Sequence, residues 1–202
     1  MNILSINRDK WTDKYILELE DGNKIKVSID ILVKHKLKQD MDINPSQLYE
    51  VVTEESKIEA YNKALDIISF KDSTSFEIKN KLSKRGYSDD VIEYVIEKLS
   101  NYNFINDEKY AQNQLKYLEK YKKQGKNKIM YSLKQKGVSK DILENLEFNE
   151  EIEYESAKSL FEKKLKQLEN DPKKKEKIYR YLASRGFTNS IVLKLIKDID
   201  KC

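Results

Sequence analysis

The apolar residues of this chain follow two different spacings. Near the start they alternate with polar ones: Ile3 to Asn7 does so, and Tyr15-Ile-Leu-Glu-Leu-Glu and Lys24-Ile-Lys-Val-Ser flank Asp21-Gly22. Period-two runs on either side of Asp-Gly predict a β-hairpin. Short helices are expected over Ile29–Leu37 and Ser46–Val52, the second started by Asn44-Pro45-Ser46, because Pro is pre-set for a first helical turn. Residues 1–56 thus read as a β-hairpin with helices. From residue 57 onward the apolar spacing becomes three and four, the period of a helix with one buried face.

Along this helical stretch a single pattern occurs three times without gaps. Ile78-Lys-Asn-Lys-Leu82-Ser-Lys-Arg85-Gly86-Tyr87-Ser88 aligns with Ile129-Met-Tyr-Ser-Leu133-Lys-Gln-Lys136-Gly137-Val138-Ser139. Both align with Ile178-Tyr-Arg-Tyr-Leu182-Ala-Ser-Arg185-Gly186-Phe187-Thr188, and the leucines are 51 and 49 residues apart. The register continues through Val91, Ile142 and Ile191, then Val95, Leu146 and Leu195. Ile and Leu four apart face a core, and a cation in the last turn complements the helix dipole. Gly86, Gly137 and Gly186 then end each helix in the left-handed conformation. Ser88, Ser139 or Thr188 is placed to cap the next helix.

A longer amphipathic helix precedes each pair: Ala64, Leu65 and Ile68 mark the first, Ala111, Leu115 and Leu118 the second, and Ala157, Phe161, Leu165 and Leu168 the third. Helices are predicted at 57–70, 74–86 and 88–102, at 106–123, 126–137 and 139–147, and at 150–169, 172–186 and 188–200. The fold class is therefore mainly α, with three tandem three-helix repeats (57–104, 105–148, 149–202) behind the N-terminal β-hairpin segment. Units this small bury surface against their neighbours, so an elongated, curved array is expected.

Charge sharpens this picture. The chain carries 39 basic and 35 acidic residues, a net of +4. Residues 1–56 hold 8 basic and 11 acidic side chains, hence −3, so residues 57–202 carry +7. Residues 116–136 have eight Lys against Glu119 alone, and 163–185 have seven Lys and two Arg against three acids. Between them, 137–162 has two Lys and eight acids. Two basic segments at related repeat positions make an anionic partner plausible if the chain folds back on itself. Lys116, Lys120, Lys122, Lys123, Lys126 and Lys128 interleave with Tyr117, Tyr121 and Tyr131, a mixture suited to phosphates and stacked bases. Arg85, Arg180 and Arg185 follow as further candidates, against the plainer role of helix C-terminal charge.

Catalytic signatures are missing. One His and one Cys, His35 and Cys202, cannot make a Cys/His zinc site, a disulfide framework or a paired nucleophile. Gly125-Lys126 is the nearest approach to a phosphate-binding loop and lacks its first Gly and its hydroxyl residue. The acidic run from Glu147 to Glu155 reads as a solvated helix face rather than a metal site. Neither an enzyme nor a cofactor or metal is expected. No apolar run reaches the ~20 residues of a membrane span, and MNILSINRDKW turns polar too soon for an export signal, so a cytoplasmic protein is expected.

Together the repeat and its L-x-x-[KR]-G-[aromatic/V]-[ST] turn resemble the RecX family, regulators of the bacterial recombinase RecA. Ala64-Leu65, Ser75-Phe-Glu-Ile-Lys-Asn-Lys-Leu82, Phe104-Ile-Asn-Asp107-Glu-Lys-Tyr110-Ala111 and Leu182-Ala-Ser-Arg185-Gly186-Phe187 carry the resemblance, over about 58–200. Phe70-Lys71-Asp72-Ser73 departs from the Arg-x-[RH]-S-like segment usual there. The resemblance implies a protein that binds RecA, lies in the groove of the RecA–DNA filament and limits filament growth or recombinase activity, touching DNA weakly through basic faces. The rival readings are a helical-repeat nucleic-acid binder, or a protein-binding scaffold, acting without RecA.

Overall fold

The structure, a computed structural model, describes residues 1–197; Cys202 and the expected end of the last helix lie outside the described residues. The chain divides into two compact units, one of residues 1–71 and 78–104, the other of 72–77 and 105 onward.

The first unit begins with a three-stranded antiparallel sheet, β1 (Ile3–Arg8), β2 (Lys14–Leu19) and β3 (Lys24–Ser28), in that spatial order. The expected hairpin is β2–β3, with Leu17 opposite Ile25 and Gly22 at φ 81° in its turn. The third strand is an addition to that hairpin: the alternating run Ile3 to Asn7 pairs with β2, Asn7 lying opposite Ile16. Alternation puts Ile3, Leu17, Leu19 and Val27 on one face, where they meet Ile31, Leu37, Ile43 and Val51 in a single core. Helix α1 (Ile29–Lys34) closes that core.

Helix α2 (Pro45–Phe70) is continuous over 26 residues, where two helices were expected at 46–52 and 57–70. Asn44 and Gln47 cap it reciprocally and Pro45 occupies the first turn. The polar run Thr53-Glu-Glu-Ser56 reads as a break, but it holds neither Gly nor Pro, and its Glu55 is buried. Glu55 accepts hydrogen bonds from the Ser28 amide (2.6 Å) and hydroxyl (2.8 Å) and pairs with Lys14 at 2.9 Å. A charge that is bonded on burial is tolerated, so the polar stretch is a contact and not a linker. Helices α3 (Ser75–Ser83) and α4 (Asp89–Asn101) complete the first repeat.

The second unit contains α5 (Asp107–Lys120), α6 (Lys126–Gln135), α7 (Lys140–Glu144), α8 (Glu150–Gln167), α9 (Lys174–Ser184) and α10 (Asn189–Lys197). One core gathers Tyr110, Ala111, Leu115, Ile129, Leu133, Val138 and Leu143; another gathers Ala157, Phe161, Ile178, Leu182, Phe187, Val192 and Leu195. Gly86, Gly137 and Gly186 have φ of 86°, 76° and 88°. At each, the following residue reaches back to the repeat leucine: Tyr87 to Leu82, Val138 to Leu133, Phe187 to Leu182, at 3.4, 3.2 and 3.3 Å. Those are helix-terminating turns of the expected kind.

Capping is less uniform. Asn106 accepts from the Lys109 amide at 2.8 Å, and Ser139 from Ile142 at 3.4 Å. Ser88 stands at the start of α4 without a cap bond. No helix among the described residues is long and apolar enough to cross a membrane.

Candidate anion-binding surface

In the second unit the turn that ends each middle helix docks on the start of an earlier middle helix. Gly125, the N-cap of α6, donates its N–H to the Arg185 carbonyl at 3.0 Å, and Asn127 donates to the Gly186 carbonyl at 3.0 Å. A Cβ on Gly125 would collide with the Phe187 and Gly186 backbone, and one on Gly186 with Lys128. The absence of both side chains is what allows the two backbones to touch. Lys128 also reaches the Ser184 carbonyl, at 3.4 Å.

This docking sets residues 125–128 against residues 184–187, so stretches of the two basic segments do meet. The segment joining α5 to α6 is held from both ends. Lys123 takes a left-handed conformation at φ 47° and its Nζ donates to Ser159 at 2.8 Å. Tyr117 and Tyr121 lie with ring centroids 5.7 Å apart, and both rings are exposed. Lys122 sits 5.6 Å from the Tyr117 centroid, Lys120 5.8 Å from that of Tyr121, and Lys126 5.1 Å from that of Phe148. Cations over rings keep their charge towards solvent while the stems are held. Lys116 is exposed one turn back on α5. Such a surface can take phosphates through its ammonium groups and a flat base through Tyr121 or Tyr131.

The remaining candidates divide. The Arg185 guanidinium lies 5.5 Å from the Tyr181 centroid, which Lys164 approaches equally closely. Lys164 was missed by sequence reasoning, because a lysine on α8 shows its neighbour on α9 only once the helices pack. Arg180 is paired with Glu176, so its charge is partly cancelled locally. Arg85 belongs to the first unit, where its Nη1 donates to the Lys81 carbonyl at 3.1 Å. The basic surface is also bounded: a cleft between Lys120, Lys123, Glu151, Ile152, Glu155 and Ser156 sets the acidic first turn of α8 against it.

Beneath this surface lie two buried carboxylates. Glu153 on α8 accepts the Lys126 amide at 3.0 Å and so caps α6, whose N-cap Gly125 has no side chain to do it. Glu119 on α5 is 7% exposed, and its Oε1 has no hydrogen-bond partner. Burial, and next the charge of Glu153, push the Glu119 carboxyl above its ordinary value. No group of three or more metal-ligating side chains occurs among the described residues.

Comparison with known proteins gives the architecture a family. Residues 60–99 match the RecX first three-helix domain, 106–145 the second and 150–196 the third. The chain is 38% identical over 179 residues to the regulatory protein RecX of Clostridium perfringens strain SM101, covering 84% of each protein. It is 29% identical over 202 residues to that of Clostridioides difficile, covering 98% of this chain and 95% of the relative. Among solved structures, a crystal structure of a regulatory protein RecX superimposes with a TM-score of 0.74 at 25% identity, over 98% of both chains. A chain whose three repeats each match, in order, the three RecX domains belongs to the RecX family of regulatory proteins.

Proposed function

We propose that this protein regulates the RecA recombinase in the cytoplasm by binding the RecA–DNA filament, limiting its growth and ATP hydrolysis during DNA repair and recombination. It acts by occupancy and charge and catalyses no reaction. The observation that carries the reading is the docking of the Gly125 segment on the Gly186 turn. It joins the segment that carries Lys122, Lys123, Lys126 and Lys128 to the turn that carries Arg185, and Lys122 and Lys120 lie over the exposed rings of Tyr117 and Tyr121. A filament offers a repeating phosphate backbone and protein surface together, and a mixed cationic and aromatic face suits both. Membership of a regulatory family supports the same reading.

Co-sedimentation with RecA–DNA filaments and with naked single-stranded DNA, each over a series of salt concentrations, tests it. Binding that is tighter to filaments than to naked DNA, with a negative salt slope, is expected. Equal binding to both would favour a nucleic-acid binder independent of RecA. Filament binding that ignores salt would remove the phosphate contacts.

A further inference from the structure

The turn-on-helix-start contact occurs twice in the second unit, at equivalent repeat positions. Thr74 and Gly125 both stand eight residues before their repeat leucine, and Lys136 and Arg185 both stand three after theirs. In one contact the Thr74 hydroxyl donates to the Lys136 carbonyl at 2.6 Å; in the other the Gly125 N–H donates to the Arg185 carbonyl. The first has two further components. Phe76 covers Gly137 closely enough that a Cβ there would collide with its ring, and Glu77, in the first turn of α3, forms an ion pair with Lys136. Thr74 and Glu77 also bond each other in the manner of a capping box, at 3.2 and 3.4 Å.

The third copy of that turn is Arg85-Gly86-Tyr87, and it is built alike. Gly86 has φ 86°, and its N–H and that of Tyr87 return to Ser83 and Leu82. Yet nothing lies within 4 Å of a Cβ placed on Gly86. Arg85 stands at the repeat position of Lys136, and Lys81, Lys84 and Arg85 are all exposed.

We infer that the Gly86 turn is a docking point for a helix start of a partner protein, one that carries a Ser or Thr cap and an acidic residue in its first turn. The partner's hydroxyl meets the Arg85 carbonyl as Thr74 meets that of Lys136, and its carboxylate pairs with Arg85 as Glu77 pairs with Lys136. Charge complementarity selects the occupant: three exposed cations favour an acid-bearing helix start, which the helix dipole already favours. Within this chain the element at the equivalent repeat position, the start of α9, carries Lys173, Lys174 and Lys175. Stacking a second copy there would set like charges together. The inference is independent of which partner the Lys122–Lys128 surface contacts.

An alanine-based helical peptide of about 20 residues, long enough to hold a helix, tests it when its first turn copies Thr74–Glu77. Backbone amide shifts of the full-length protein are followed as the peptide is added. Saturable shifts at residues 84–88 are expected, with none at 136–138 or 185–187, because those turns are already covered by tethered helix starts. Replacing the peptide's Glu by Lys, or Arg85→Glu in the protein, is expected to weaken binding at least about tenfold. The inference is overturned if no saturable shift appears at millimolar peptide or if the Lys peptide binds equally well. It is also overturned if inorganic phosphate reproduces the shifts, which makes the turn an anion site, or if the protein alone produces them on concentration, which makes it a self-association site.

Discussion

Gly125→Ala adds one methyl group where the backbones of the Gly125 segment and the Gly186 turn touch. The φ at Gly125 is −79°, an ordinary value for alanine, so backbone strain contributes nothing and the effect isolates the close approach. The methyl would meet the Phe187 nitrogen and the Gly186 carbonyl carbon, atoms that cannot rotate away. To relieve the clash the two segments must separate, which stretches the bonds from Gly125 to Arg185 and from Asn127 to Gly186, both 3.0 Å. Overpacking of this kind costs about 1–3 kcal/mol and each weakened backbone bond about 1 kcal/mol. A local loss of about 3–5 kcal/mol follows, an increase in opening of about 150- to 5000-fold.

Hydrogen exchange followed by mass spectrometry reads that opening segment by segment. Faster exchange is expected over residues 120–130 and equally over 180–190, far away in sequence but bonded across the contact. Gly86→Ala is the control: it carries the left-handed backbone cost of about 1–2 kcal/mol but meets no atom, so exchange over 180–190 should stay at the wild-type rate. Unchanged exchange over 180–190 in Gly125→Ala would refute the docking of the two segments.

Further outcomes are expected from particular residues. Gly137→Val combines a φ of 76° with collision against Phe76, so its urea midpoint should fall below that of Gly86→Val by the equivalent of about 1–3 kcal/mol of overpacking. Glu119→Gln should raise the melting temperature near neutral pH. A carboxyl held above its ordinary 4.5 contributes its full stability below that value and loses it as pH rises through the folded value, so the advantage of the variant should vanish below about pH 4; a constant difference across pH would contradict this. Asp9 is held down to about 2 by bonds first from Lys26, then from Thr12 and the Trp11 amide, and it fixes the loop that carries the highly exposed Trp11. Asp9→Asn should therefore lower the fluorescence anisotropy of Trp11 at pH 7, and wild type should approach the variant only as pH falls through about 2.

The features of the fold that depend on local spacing were legible from the chain. Ile and Leu four apart, then a cation, then Gly, is enough to place the middle helices and their left-handed ends. What depends on long-range partners was not. The polar run around Glu55 read as a gap, because the bonds that bury it come from Ser28 and Lys14, far away in sequence. Asn106 and Asp107 are equally good caps for α5 by sequence; Asn106 does the capping, while Asp107 accepts from the amide and hydroxyl of Ser75 at the start of α3, far away in sequence.

Gly125 is the most instructive residue. In sequence it reads only as part of an incomplete phosphate-loop motif. Its role is steric, and the atoms it must avoid, those of Gly186 and Phe187, belong to the following repeat. The basic surface was incompletely legible for the same reason. The lysines around Tyr117 and Tyr121 announce themselves by interleaving, whereas the contact of the Arg185 turn with the start of α6 follows from which turn docks on which helix.

Regulation of RecA through the lysine surface is tested most directly by the DNA-dependent ATPase of RecA, titrated with this protein in amounts well below those of RecA. Lys123→Asn tolerates the left-handed backbone, so Lys122→Ala, Lys123→Asn, Lys126→Ala and Lys128→Ala combined should leave the far-UV circular dichroism melt within a few degrees, exposed cation contacts being worth little and the lost Lys123–Ser159 hydrogen bond about 1 kcal/mol. Wild-type protein is expected to suppress the ATPase substoichiometrically, and the combined variant to need several-fold more protein. Lack of suppression, suppression only when the protein is abundant enough to coat the DNA, or equal potency of the variant would contradict the account.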